Sequence, residues 1–244
     1  MKAIVTGHSR GLGEGIVRAL LARGAQVMGI ARQGNPALAG VQQVPLDLAD
    51  AAAIEAWLEG GALAAFLADA EAASGPVLLV NNAGVVQPVG APGRQGAARL
   101  ARAVAVNVAA PLMLTDAFVE ASGHCPDRRV LHISSGAGRH PYSGWSAYCA
   151  TKAALDMHAQ AVALDQVPGL AIASVAPGVI DTGMQAEIRT VDEADFPALE
   201  RFIALKEEGG LDDASEAGAR LVDYLLAGHF GADPVTDLRD FQRF

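Results

Sequence analysis

Six short apolar runs, KAIVT (2–6), AQVMGIA (25–31), VQQVPL (41–46), PVLLVN (76–81), RVLHIS (129–134) and LAIASVAP (170–177), alternate with longer segments of helical periodicity. Several runs lack the apolar–polar alternation of a strand with one wet face. They are therefore expected in a parallel sheet that is covered on both sides. Helical patterns occupy 11–23, 51–73, 95–120 and 145–167, with Gly60-Gly61 dividing the second into two helices, and another helix is expected near 213–227. Strands and helices in this order predict an α/β fold, a doubly wound parallel sheet flanked by helices, as a single domain over 1–244. Residues 181–210 break the rhythm with mixed polar and apolar residues, Pro197 and Gly209-Gly210. An insertion after the last clear strand sits at the carboxyl edge of the sheet, where α/β folds bind ligands, and reads as a substrate lid.

Other features narrow the chemistry. The apolar fraction is 51%, yet no apolar run approaches the roughly 18–20 residues of a membrane span. The N-terminal MKAIVTG lacks the apolar stretch and cleavage site of a signal peptide, so a cytoplasmic location with no membrane association is expected. A net charge of −9 argues against nucleic acid as a partner. Cys125 and Cys149 have no metal-ligand spacing, and Cys149 reads as a small apolar helix residue. His132 reads as a packed strand residue, and His8 lies in a glycine-rich turn. No metal site is indicated.

The first run ends in TGHSRGLG, which places Gly7, Ser9, Arg10, Gly11, Leu12 and Gly13 between a strand and a helix. Glycines there let a diphosphate approach the backbone at the positive end of the helix dipole. At the end of the second run, Ala31 stands where an acid would bind the ribose of NAD, and Arg32 follows it. Two arginines, Arg10 and Arg32, without a competing carboxylate point to the 2′-phosphate of NADP(H). Asp47, followed by Leu48, can accept from an adenine amino group or cap the next helix. Tyr148 and Lys152 are four residues apart, on one helical face, close enough for the ammonium to favour phenolate and lower the phenol's pKa.

Together with NNAG (81–84), Asn107, ISS (133–135), YCATK (148–152) and PGVIDT (177–182), the glycine loop resembles the short-chain dehydrogenases/reductases across nearly the whole chain. APGVIDTGMQAEIR and the lid after it are most similar to the benzil reductase and sepiapterin reductase branch. The resemblance implies a Rossmann-like fold with Tyr148 as proton donor to a substrate carbonyl and Ser135 as a hydrogen-bond donor to the same oxygen. It implies that Lys152 binds the nicotinamide ribose and lowers the pKa of Tyr148, and that Asn107 holds a water leading to solvent. Asn82, Ala83 and Gly84 would line the adenosine ribose, and Pro177, Gly178, Val179 and Thr182 would surround the nicotinamide. A pocket of Trp145, Met184, Phe196 and Phe202 would suit a ketone or vicinal diketone. Asp237, or else Asp240, would be the anchor of a pterin. The expected activity is NADPH-dependent carbonyl reduction by a homodimer or homotetramer. The alternatives are a sepiapterin reductase and, in another class, a non-catalytic protein that senses NADP(H).

Overall fold

The computed structural model describes residues 1–68 and 75–241. Seven parallel strands form one sheet: β1 (Lys2–Thr6), β2 (Gln26–Ala31), β3 (Gln42–Pro45), β4 (Val77–Asn81), β5 (Arg128–Ile133), β6 (Leu170–Ala176) and β7 (Val235–Asp237). Their order is β3-β2-β1-β4-β5-β6-β7. The missing alternation has its explanation in the core. On β4, Leu78 and Val80 enter one apolar layer while Val77 and Leu79 enter the other.

Two helices, α1 (Gly11–Ala22) and α9 (Ala214–Leu226), cover the first face with Ile16, Leu20, Leu221 and Leu225. The second face is covered by α2 (Ala51–Glu59), α3 (Ala62–Leu67), α5 (Ala110–Ala121) and α6 (Ser146–Leu164), through Ile54, Leu67, Leu114, Phe118 and Ala159. Gly60 and Gly61 do separate α2 from α3, and the end of the expected 51–73 helix falls at 69–74, outside the described residues. The expected 95–120 helix begins instead as α4 (Ala97–Val104) after Gly96, continues through a π-helical turn (Ala105–Ala109) and ends as α5. The continuous helix Ala97–Ala121 is long and apolar enough to cross a membrane by length and composition alone. In this fold it lies on the sheet, with Ala110, Leu114 and Phe118 in the core.

The segment expected as a lid contains α7 (Gly183–Ile188) and α8 (Leu199–Glu207). Ile188, Phe196 and Phe202 from it pack with Trp145 and Tyr148 in a third apolar cluster. The sequence pattern does not predict β7, which is only three residues long and pairs with Ser174–Ala176 of β6. His132 is buried on β5 as expected, with Nδ1 3.2 Å from Asn81 and Nε2 3.0 Å from His158.

Candidate active site

The chain leaves β1 toward β2 on one side and resumes at β4 on the other, so the carboxyl ends of β1 and β4 flank a topological switch point. A cleft of about 730 Å³ opens there. At one end it is walled by the loop after β1. Gly7 and Gly11 have φ of +67° and +57°, the left-handed region that favours glycine, and a Cβ on Gly13 would lie 2.2 Å from Gly7 O. Asn82 braces this loop, its Nδ2 donating to Thr6 O at 2.9 Å and to Gly7 O at 3.3 Å. Thr6 Oγ1 accepts from the main-chain N–H groups of Asn82 and Ala83 at 3.0 Å each. The first turn of α1 has no side-chain cap, so its N–H groups face the cleft end without a local acceptor. A diphosphate requires this shape and these donors.

Arg10 and Arg32 line the same end, both exposed. Among the described residues neither guanidinium is paired with a carboxylate. Asp47 also lines the cleft, but its carboxylate accepts from Ala49 N at 3.0 Å and lies 3.4 Å from Arg102. The helix α2 is capped by Asp50 rather than Asp47.

In the middle of the cleft, Ser135 follows β5, and Tyr148 and Lys152 project from the first turns of α6. Tyr148 hydrogen-bonds with Ser135, and the Lys152 ammonium lies 5.7 Å from the Tyr148 ring centre while donating to Ile133 O at 2.8 Å. The expected acidification of Tyr148 is reversed. Burial, outweighing the hydrogen bond from Ser135, pushes the phenol up to about 12, and the Cys149 thiol adds to the rise. Lys152 is itself buried, and loss of hydration brings its ammonium down to about 8 against the opposing pull of Asp156. Desolvation therefore dominates the attraction that spacing alone predicts.

Asn107 does not line the cleft. It sits in the π-helical turn, where Oδ1 accepts from Val85 N at 2.8 Å and Nδ2 donates to Val85 O at 2.8 Å and Thr151 Oγ1 at 3.1 Å. The amide thus locks the turn after β4 to α6, beside the path along which the resemblance implies a water leading to solvent. Gly84 lies between it and Lys152, since a Cβ there would be 3.5 Å from both Asn107 Oδ1 and Lys152 Nζ.

The remaining end is walled by Trp145, Tyr142, Met184 and Phe202, with Pro177, Gly178, Val179 and Thr182 along the floor. Phe196 is not in this wall. It is fully buried and stacks behind Trp145, with ring centres 4.5 Å apart, so it backs the pocket instead of lining it. Asp237, at the end of β7, lines the cleft, whereas Asp240 does not. Burial alone would raise the Asp237 pKa, but hydrogen bonds and charge from Arg239, 2.6 Å away, hold it below the ordinary value. Tyr142, His140, Gln185, Arg201 and Arg239 also line this end. Gln185, Arg201 and Arg239 are placed by the docking of β7 and the two short helices, and His140 and Tyr142 by the segment between β5 and α6; the spacing of residues carries no signal of either.

A family model described as short chain dehydrogenase matches residues 1–193. The chain belongs to the short-chain dehydrogenase family. A benzil reductase ((S)-benzoin forming) of Bacillus cereus is 39% identical over 220 residues, covering 85% of this chain and 87% of the relative. A sepiapterin reductase of Meriones unguiculatus is 31% identical over 253 residues, covering 97% and 95%. The crystal structure of a short-chain dehydrogenase/reductase from Burkholderia vietnamiensis superposes with a TM-score of 0.70 at 45% identity, covering 99% and 98% of the two chains. As a short-chain dehydrogenase, the protein is an oxidoreductase of the CH–OH/C=O couple in a family that uses nicotinamide cofactors. The family binds small-molecule substrates and typically forms oligomers.

Proposed function

We propose that this short-chain dehydrogenase is an NADPH-dependent carbonyl reductase acting on a small ketone or vicinal diketone. The observation that carries the reading is the convergence of Ser135, Tyr148 and Lys152 at mid-cleft, between a diphosphate cradle and an aromatic wall. Gly7, Ser9, Gly11, Leu12 and Gly13 would hold the diphosphate, Asp47 and Leu48 the adenine, and Asn82, Ala83 and Gly84 the adenosine ribose side. Arg10 and Arg32, beside Ala31, would hold the 2′-phosphate. When bound, the nicotinamide supplies the hydride.

The protein's own part is to receive charge on oxygen. Ser135 and Tyr148 would donate to the substrate carbonyl, stabilising the alkoxide that develops more than the ketone itself. Tyr148 gives up its proton to that oxygen. A phenol raised to about 12 is fully protonated at neutral pH and so is ready to act as an acid. Lys152 uses one of its three donors on Ile133 O and keeps two for ribose hydroxyls. Asn107 acts through the turn it locks. Trp145, Met184 and Phe202 would seat an apolar or aromatic substituent, with Phe196 behind them, under the 181–210 lid.

Lys152 fixes the pH dependence. Its ammonium is present below about 8 and is lost as pH rises through that value. Reductive kcat/KM should therefore be flat near neutral pH and fall above about 8, while Tyr148, titrating far higher, imposes no limit in that range. A rate that climbs through pH 8 would contradict this assignment.

Two other readings meet specific obstacles. A pterin anchored by Asp237 would have to share a carboxylate whose two oxygens Arg239 already engages at 2.8 and 2.6 Å. A protein that only senses NADP(H) has no use for Ser135 and Tyr148. The two enzymatic readings separate in a comparison of a diaryl diketone with sepiapterin as substrates of the wild type and Asp237→Asn. Preferred turnover of the diketone, changed less than threefold by the substitution, is expected, because in this reading Asp237 is held by Arg239 and takes no part in binding the diketone. Preference for sepiapterin with loss on Asp237→Asn would reverse the order of the readings.

We also propose a homo-oligomeric assembly through α4–α5 and α6, which leave Val104, Met157 and Leu164 exposed at 49%, 64% and 83%.

A further inference from the structure

Outside the cleft, a ring of side chains joins the two loops that carry Arg10 and Arg32. His8 follows Gly7, yet its ring is fully buried and lies over Gly29 of β2, where a Cβ would come within 2.4 Å of His8 Cγ. Only glycine leaves room for it. His8 Nε2 is 3.0 Å from Gln43 Oε1 on β3. That same oxygen accepts from Asn35 N at 2.5 Å, and Gln43 Nε2 donates to Asn35 O at 2.9 Å. The paired bonds to the Asn35 main chain fix which end of the amide faces His8, so the imidazole Nε2 is the donor. Asn35 Nδ2 then donates to Ser9 O at 3.0 Å, and the peptide between residues 8 and 9 closes the ring. Arg10 follows Ser9, and Arg32 precedes Asn35 by three residues.

We propose that the His8–Gln43–Asn35–Ser9 ring is a positioning device for cofactor choice: it sets the distance between Arg10 and Arg32 and thereby favours a 2′-phosphate over a free ribose 2′-hydroxyl. The inference rests on the NADPH reading above. His8, Gln43 and Asn35 do not line the cleft and act through the arginines. Two long, exposed side chains on untethered loops would lose conformational freedom when they close on a phosphate, and tethering the loops beforehand removes part of that cost. NADH, which needs neither arginine, gains little from the ring.

The test uses Gln43→Met, which keeps volume at a half-exposed position of the edge strand, and His8→Phe, which keeps a ring over Gly29 but removes the donor. Each is expected to raise KM for NADPH about tenfold while leaving kcat and the KM for NADH within about twofold, the pattern of lost preorganisation. Thermal unfolding reports whether each variant folds, and Gln43→Met stands if His8→Phe does not. Equal rises in KM for both cofactors, or no rise for NADPH in a folded variant, would overturn the proposal. A wild type that does not prefer NADPH to NADH overturns both this proposal and the NADPH reading. A wild type that prefers NADPH, with variants that keep the same preference, overturns the ring's role alone.

Discussion

Tyr148→Phe is expected to abolish turnover while NADPH binds almost as before. The substitution removes one oxygen and leaves the ring in place, packed edge-on against Trp145 with centres 5.3 Å apart. The hydroxyl's partner is Ser135, so little of the fold depends on it. Loss of a positioned general acid costs on the order of 10²–10⁴ in rate, and here the same atom also holds the developing alkoxide. The fall should appear in kcat, measured with a diketone, against an NADPH dissociation constant measured by nicotinamide fluorescence. Turnover retained in the variant would remove Tyr148 as the acid. Equal loss of binding and rate would assign it a structural part instead.

The double substitution Arg10→Ala with Arg32→Ala should weaken NADPH far more than NADH. Each guanidinium is exposed, free of carboxylate partners among the described residues, and next to the cleft end that would receive the adenosine ribose. A hydrogen bond to a charged group contributes about 1.5–3 kcal/mol, roughly 10-fold to 100-fold in affinity, so the pair should cost NADPH on the order of 10²-fold or more. NADH affinity should change only a few-fold. Isothermal titration with both nucleotides decides the matter, and parallel losses would refute a 2′-phosphate role for these residues.

Much of this was legible from residue order because parallel, doubly covered strands leave an obvious mark. Val77 and Leu79 face one layer and Leu78 and Val80 the other, so the run is apolar throughout. The glycine loop is legible for a similar reason, since Gly13 has no space for a side chain. Three features were not legible. The strand β7 is too short to display a period. The π-helical turn under Asn107 is a matter of hydrogen-bond register, which helical spacing does not encode. Phe196 and Phe202 look equivalent in sequence, and only the docking of α7 and α8 puts one behind Trp145 and the other in the cleft.

The tyrosine offers the sharpest contrast. Four-residue spacing correctly brings Lys152 beside Tyr148, yet spacing contains no information about burial, and burial decides the sign of the shift. The phenol is therefore a weaker acid than the pair alone predicts. It is also a reservoir that holds its proton until an alkoxide forms beside it.

The most direct test is to mix the protein with NADPH and benzil, follow the nicotinamide absorbance, and quantify the product. Reductase action predicts one NADPH oxidised for each hydroxyketone formed. Tight NADPH binding with no oxidation, by benzil or by any other ketone or diketone offered, would contradict it and leave a protein that binds the nucleotide without using it.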